Sequence, residues 1–426
     1  MKLSIGLAAV GVAAAALGLG ALSVGAAEIK LVVRVEVAGG TDVPVCAKID
    51  LPAGLRELAP EKISVAMKSA SAGKAVPGQV VAGEKGAELL WVLPEAKVGT
   101  TRWTAALSPK PYAGKDVFAF HDTAGKHLDL RFAGRPVTRY MYEFDRSGKE
   151  KAFETYKPYH HVFDAAGKGF ITKGAHGHDP HHRGIHIGWG KTSCNGRRYN
   201  FWSMGGGSAQ VHRKFLAMTA GPVLGCCTAA IDWIDRDEKV IVSEQRTTTC
   251  FRQGPSAIML MEFRAKLKAV AGDVVLDANP EHGGFQYRAH NDVAVNAGAR
   301  GGKQTADSAS KDLRTRYEFH KEGIKTPGQR LNENKDLPWA AQSFALRSKR
   351  YSIQHMNHTS NPKPTVYSAY RPYGRFGAFF KATIKAGAVL PLRYRIYATE
   401  RPMPPRGEMN LRHAAFVHPP VVEVAK

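Results

Sequence analysis

His176-Gly177-His178-Asp179-Pro180-His181-His182-Arg183-Gly184-Ile185-His186-Ile187-Gly188-Trp189 carries five of the chain's 17 histidines within eleven residues, with an Asp and an Arg among them. Whether this stretch is helix or strand decides both the fold and the chemistry. Asp179-Pro180 favours an extended or turn conformation, because the proline ring crowds the residue before it. His176 to His181 therefore reads as loop, and Gly184 to Trp189 as strand. On a helix, His182 and His186 would stand one turn apart and could share an ion. On a continuous strand they share a face but lie roughly 13 Å apart, too far for one ion with ~2 Å bonds.

Outward from this stretch the sequence is dominated by strands. Arg139 to Asp145 alternates, and Val223–Trp233 with Val240–Phe251 reads as a hairpin turning near Asp235-Arg236-Asp237-Glu238. Ile258–Val270, Ser343–Ile353, Gly377–Lys385 and Val389–Thr399 follow. Asn296 to Asp336, rich in Gly, Lys, Asn and Ser, is too long for an ordinary connection. It reads as a loop over the site or an insertion with helix near Lys311 to His320.

Four domain assignments result. Residues 1–27 form a signal peptide: Lys2, an apolar Ile5–Leu22 run, then small residues to Ala27. Residues 28–109 have the cadence of an immunoglobulin-like β-sandwich, with strands at Ile29–Val37, Ile63–Met67, Leu89–Leu93 and Thr101–Leu107. Residues 115–400 form a large β domain, and 401–426 a Pro-rich tail without regular structure. The fold class is mainly β.

The net charge of +23 attracts polyanions. No helix-turn-helix, zinc-finger or RNA-binding signature accompanies it, so nucleic acid is excluded as partner. Apart from the leader no stretch approaches spanning length, so no stable membrane insertion is expected after its removal. A periplasmic or extracellular protein whose partner is carbohydrate, with anionic polysaccharide among the candidates, is the expectation. Cys46, Cys194, Cys226, Cys227 and Cys250 are too few and too irregular for a disulfide framework, leaving room for one or two bridges.

Imidazole titrates nearest neutrality and is also the commonest metal ligand. His161, His181, His182, His186 and Glu244 are the candidate catalytic residues, one carboxylate and one imidazole serving as base and acid. Arg183, Trp202, Glu281, Arg288, His358, Asn361 and Arg371 are the candidate ligand-binding residues, Arg through its fork of donors and Trp as a face for a sugar ring. His176, His178 and His181 are the candidate ligands of a divalent metal, the cofactor being otherwise unknown.

These residues also resemble a known family. Lys157-Pro158-Tyr159-His160-His161 looks like the Pro-Tyr-x-His element of the PmoA-like family. Pro180-His181-His182-Arg183-Gly184 matches its central motif, although His178-Asp179 stands where the family has Asp-His. Phe201-Trp202, Glu244-x-Arg246, Gly283-Gly284 with Arg288, and His358 to Pro362 followed by Arg371 resemble further elements. The family comprises bacterial exported domains of unknown function, named after a methane oxygenase subunit. Such a subunit spans the membrane many times, for which this sequence has no helices. The resemblance instead implies a galactose-mutarotase-like β-sandwich in exported proteins linked to glycan use.

The expected function is thus a secreted carbohydrate-active protein, an enzyme of epimerase, lyase or hydrolase type. The alternatives are a non-catalytic glycan-binding protein and a His-rich, copper- or zinc-dependent periplasmic protein.

Overall fold

The computed structural model describes residues 26–71, 73–83, 86–296, 299–300, 303–304, 315–324 and 335–425. The leader, but for its last two residues, lies outside them, as do 305–314 and 325–334 of the long insertion. The fold is mainly β, in antiparallel sheets.

The N-terminal unit is one seven-stranded sheet around its own core of Leu31, Val33, Val45, Val65, Met67, Leu89, Trp91 and Leu107. Burial alternates along each strand, as the two-residue period of a pleated strand requires. Its last strand is not local. Val421–Val424 pairs with Ala27–Val35, Leu31 opposite Val424. The tail expected to lack regular structure thus contains the helix Arg406–Val417 and a sheet strand. Apolar positions Met409, Ala415 and Phe416 dock the helix, and the Val-rich end supplies the pairing.

The rest is built on two eight-stranded sheets that share one buried cluster. One sheet contains the long hairpin Leu224–Ile234 and Val240–Phe251, as its alternation predicts. Beyond a bulge at Trp233/Ile234, Gly225 stands opposite Cys250. All five cysteines are free thiols. In the same sheet Arg316–Phe319 is a strand paired with Trp339–Leu346, where the sequence suggested helix.

The other sheet positions the site. Ile185–Trp189 pairs with Gly283–Arg288, which pairs with Arg375–Phe379. Ile185, Ile187, Trp189, Phe285, Tyr287, Phe376 and Ala378 enter the shared core. The alternate residues therefore face outward: His186 stands opposite Gln286, and Arg288 opposite Arg375. Among the described residues no helix is long and apolar enough to cross a membrane.

Candidate functional site

Two glycines shape the histidine stretch. Gly184 has φ +33°, and a Cβ there would lie 2.0 Å from the His160 carbonyl oxygen. The chain turns sharply at this point, so His182 precedes the strand instead of belonging to it. The 13 Å separation expected for a continuous strand consequently does not apply. A Cβ on Gly188 would lie 1.9 Å from the Phe201 carbonyl oxygen. The bare backbone lets the Phe201-Trp202 segment descend onto the sheet. The Trp202 indole then meets both imidazoles, with ring centroids 5.4 Å from His182 and 4.8 Å from His186.

Around this indole the structure gathers His181, His182, His186, Arg288 and Arg375, under a rim of His178, Asp179, Glu281, His282 and Arg371. The His181 ring lies 4.2 Å from that of His182, and His182 stacks toward Tyr373 at 6.2 Å. Asp179, in the left-handed region at φ +48°, brings Oδ2 to 3.3 Å from His178 Nε2 and 3.6 Å from His182 Nδ1. The second distance is a charge contact, too long for a hydrogen bond. A left-handed aspartate beside buried imidazoles is the kind of local strain found at functional sites. Glu281 accepts from Arg371 Nη2 at 3.1 Å on the rim, so this expected pair does meet.

Many donors here are left without partners. Both ring nitrogens of His182, Nε2 of His186, Nε1 of Trp202, Nε and Nη2 of Arg288, and Nε of Arg371 and Arg375 are buried without a hydrogen-bond partner among the described residues. Most buried polar groups in proteins are satisfied, so such a concentration in one place points to a function. His186 is oriented through Nδ1, 2.7 Å from the Arg183 carbonyl oxygen, which leaves Nε2 free.

Burial also holds the imidazoles neutral. It drives His182 and His186 well below the ordinary histidine value, with Arg375 adding to the effect on His182 and Lys157 to that on His186. His181 falls to about 3 through burial and the nearby Lys157 charge. Lys173, brought down to about 7 by burial and then Arg288, reaches the carbonyl oxygens of Gly174, Asp179 and His182 at 3.1, 3.4 and 3.3 Å. It ties the histidine loop into place. Lys157 does the same for Trp202, donating to its carbonyl oxygen at 2.7 Å.

Several expected site residues serve other purposes. Arg183 is fully buried and turns away from the site. It donates to the carbonyl oxygens of Phe153, Glu154 (2.8 Å) and Pro180, and lies 3.9 Å from the Tyr156 ring centroid. It fastens helix Lys149–Thr155 and is not free to hold a ligand. Glu244 is sealed in the shared core, where both oxygens are taken by Arg246 and one also by Trp233. A carboxylate so occupied has no free lone pair directed at a substrate. His161 stacks on Phe170 at 3.9 Å and bonds Thr172 Oγ1 at 3.1 Å, behind the site. His358 and Asn361 belong to a different place: His358 meets Ser360 and Arg393, and Asn361 bridges Asn357 to the Arg393 backbone.

The expected metal triad does not converge. His176 pairs with Glu154 at 2.7 Å, His178 with Asp179, and His181 packs on His182. Among the described residues no three His, Cys, Asp or Glu side chains are placed to hold one ion.

Asp179, Lys157, Lys173, Tyr373 and Arg375 were not among the sequence candidates. Asp179 and Lys157 sit inside motifs already singled out, whereas Arg375 shows its role only through its strand partner Arg288. Chemically the site offers neutral imidazoles with free nitrogens, an adjacent carboxylate, aromatic walls and cationic donors.

Among curated proteins none matches this chain. The resemblance to the PmoA-like family is corrected by the family comparison, which matches the chain to DUF6807 and not to a PmoA or methane oxygenase family. The match runs over residues 127–412, well over half of the sequence and every residue of the site, so the chain belongs to DUF6807, a family of unknown function.

Proposed function

We propose that this chain is an exported carbohydrate-active protein that binds a sugar at the Asp179–His182 site and catalyses proton transfer on it. The observation carrying this reading is the group of buried, partnerless donors on His182, His186 and Trp202 beside the Asp179 carboxylate. Sugar hydroxyls are the matching chemistry, since each both donates and accepts and the ring offers an apolar face to Trp202 and Tyr373. Neutral His182 takes the proton, and Asp179 orients it and stabilises the imidazolium that forms. Epimerisation and elimination begin with such a step, whereas hydrolysis would use the same groups to activate water and protonate the leaving oxygen.

The two eight-stranded sheets with their common core support reading this part as a galactose-mutarotase-like sandwich, and the separate core of the N-terminal unit supports reading that unit as an immunoglobulin-like accessory domain. Fold alone does not set the reaction. The apolar leader supports export to the periplasm or beyond.

A non-catalytic glycan-binding protein is the second reading. It is favoured by the burial that holds His182 well below the ordinary histidine value, away from the near-neutral range that serves a general base best.

The deciding experiment incubates the purified protein with mono- and oligosaccharides in D₂O and follows deuterium uptake and bond cleavage by NMR, with calorimetry alongside. Turnover that falls about 100-fold in His182→Gln, with sugar affinity nearly kept, supports the enzyme. Sugar binding without turnover selects the second reading, and no binding by any sugar defeats both.

A further inference from the structure

Elsewhere in this chain guanidinium groups that meet an acidic side chain grip it through one edge, while the fully buried Arg183 has all three of its nitrogens on the carbonyl oxygens of Phe153, Glu154 and Pro180. Arg246 places Nε and Nη2 on the two oxygens of Glu244 at 2.7 and 2.9 Å. Arg139 does so on Asp129 at 2.6 and 3.0 Å, and Arg393 on Glu262 at 3.0 and 3.2 Å. The Nε/Nη2 edge, two parallel donors matching two carboxylate oxygens, is the recurring contact.

At the site the pattern breaks. Arg288 is fully buried and gives Nη1 to the carbonyl oxygens of Ala289 and Tyr373. Its Nε/Nη2 edge has no partner among the described residues. Arg375, directly opposite on the next strand, gives Nη1 to Gln286 Oε1 and Nη2 to Ser368 Oγ, both neutral, and its Nε is partnerless. Lys157 and Lys173 donate to carbonyl oxygens and have no carboxylate partner among the described residues. Asp179 on the rim acts electrostatically on Arg288 and Lys173, and its Oδ2 faces His178 and His182. Lysine can lessen the cost of burial by losing its proton, but arginine cannot. A buried guanidinium without a counterion is a standing cost that an anionic ligand would remove.

We propose that the free Nε/Nη2 edge of Arg288 is the seat of a carboxylate borne by the sugar, so that the ligand class is acidic sugars of the hexuronate type. This rests on the reading of the site as a sugar site. Arg288 lies under Tyr373, its Cζ 4.7 Å from the ring centroid, one layer below the partly exposed rim of His178, Asp179 and Arg371. The carboxylate reaches the guanidinium when Tyr373 swings aside. Arg375 then adds long-range attraction, and the sugar ring lies toward His182 and Trp202.

The test compares glucuronate and galacturonate with glucuronamide and galacturonamide, which have nearly the same shape without the charge, by calorimetry on the purified protein. Acetate and inorganic sulfate serve as bare-anion probes. The acids are expected to bind at least about tenfold more tightly than the amides, in line with charge-assisted bidentate pairing. Arg288→Gln, which removes the charge and has its fold checked by circular dichroism, is expected to lower the ratio of acid to amide affinity at least about tenfold. If this variant fails to fold, the acid–amide comparison on the wild type still decides.

Equal binding of acid and amide overturns the carboxylate seat but leaves the sugar site standing. Acetate or sulfate binding as tightly as the uronates overturns the acidic sugar in favour of a free anion. Binding by none of the sugars overturns both the seat and the sugar site.

Discussion

Glu244 and Arg246, two residues apart on one strand, bind each other through both carboxylate oxygens, and Trp233 Nε1 adds a third hydrogen bond at 2.8 Å. Residues at this spacing point to the same face of a strand, so the pair forms locally and is buried as a unit. Removing one partner leaves the other's charge uncompensated in the core. Arg246→Met is expected to destabilise the protein by about 3–5 kcal/mol, and Glu244→Gln/Arg246→Met to recover much of that loss. Urea unfolding of the three proteins measures it. A double variant no more stable than the single one would show that the charge pair is not the cause.

Glu262 gives a second, pH-dependent expectation. Burial raises its pKa, but Arg395, Arg264 and Arg393 together outweigh burial and leave it at about 2. The folded value is therefore depressed below the ordinary ~4.3. Its stabilisation is fully present above that ordinary value and is lost as the pH falls toward 2. On the order of 3 kcal/mol is at stake. Stability profiles of wild type and Glu262→Gln between pH 5 and 2.5 should converge as the pH drops, and parallel curves would refute the assignment.

Acid sensitivity also begins earlier, at the histidines. His160, His161, His181 and His355 are each brought to about 3, in every case first by burial. Unfolding restores an ordinary value near 6.5. Stability is thus fully present above about pH 6.5 and declines as the pH falls toward 3, because the unfolded chain takes up protons that the folded one refuses. Several such groups acting together should unfold the protein before any of them is protonated in place. Melting temperatures from pH 8 to 4 should fall steadily below 6.5, less steeply in His355→Gln; a flat profile to pH 5 would contradict the assignment.

Gly184 and Arg183 supply a third, structural test. A methyl group at residue 184 meets a backbone oxygen, so Gly184→Ala should abolish soluble expression or lower the melting temperature drastically. Arg183→Ala leaves the carbonyl oxygens of Phe153 and Glu154 without their donor, at a cost of about 2–4 kcal/mol. Any sugar affinity measured well below the melting temperature should survive Arg183→Ala. Selective loss of binding in a stable variant would restore Arg183 to the ligand-binding set.

Strands with regular alternation, such as the arms of the 223–251 hairpin, were legible because one face is buried, and Val389–Thr399 was legible from its apolar and aromatic run although Tyr394 to Thr399 are buried on both faces. The hairpin at Trp339–Leu346 and Lys349–Asn357 was not. Its turn, Arg347-Ser348, takes positive φ values of 51° and 63° without the Asn-Gly pair that usually announces such a turn. At the site, the density of histidines marked the place, but roles depend on facing. Neighbours His182 and Arg183 point to opposite destinations, one to Trp202 and the other to a helix end. Glu244 drew attention as a carboxylate with an arginine two residues away, and that arginine is the reason it is occupied. Arg375 was missed because its partner Arg288 is 87 positions earlier, a separation that only strand pairing closes.

The pairing of Ala27–Val35 with Val421–Val424 sets an order of events during synthesis. The unit built on Ala27–Val35 cannot complete its sheet until residues 421–424 have been made, and until then one of its long strands has a bare edge. Such an edge recruits other strands. A nick that frees residues 421–424 would reopen the edge and mark the protein for aggregation or degradation.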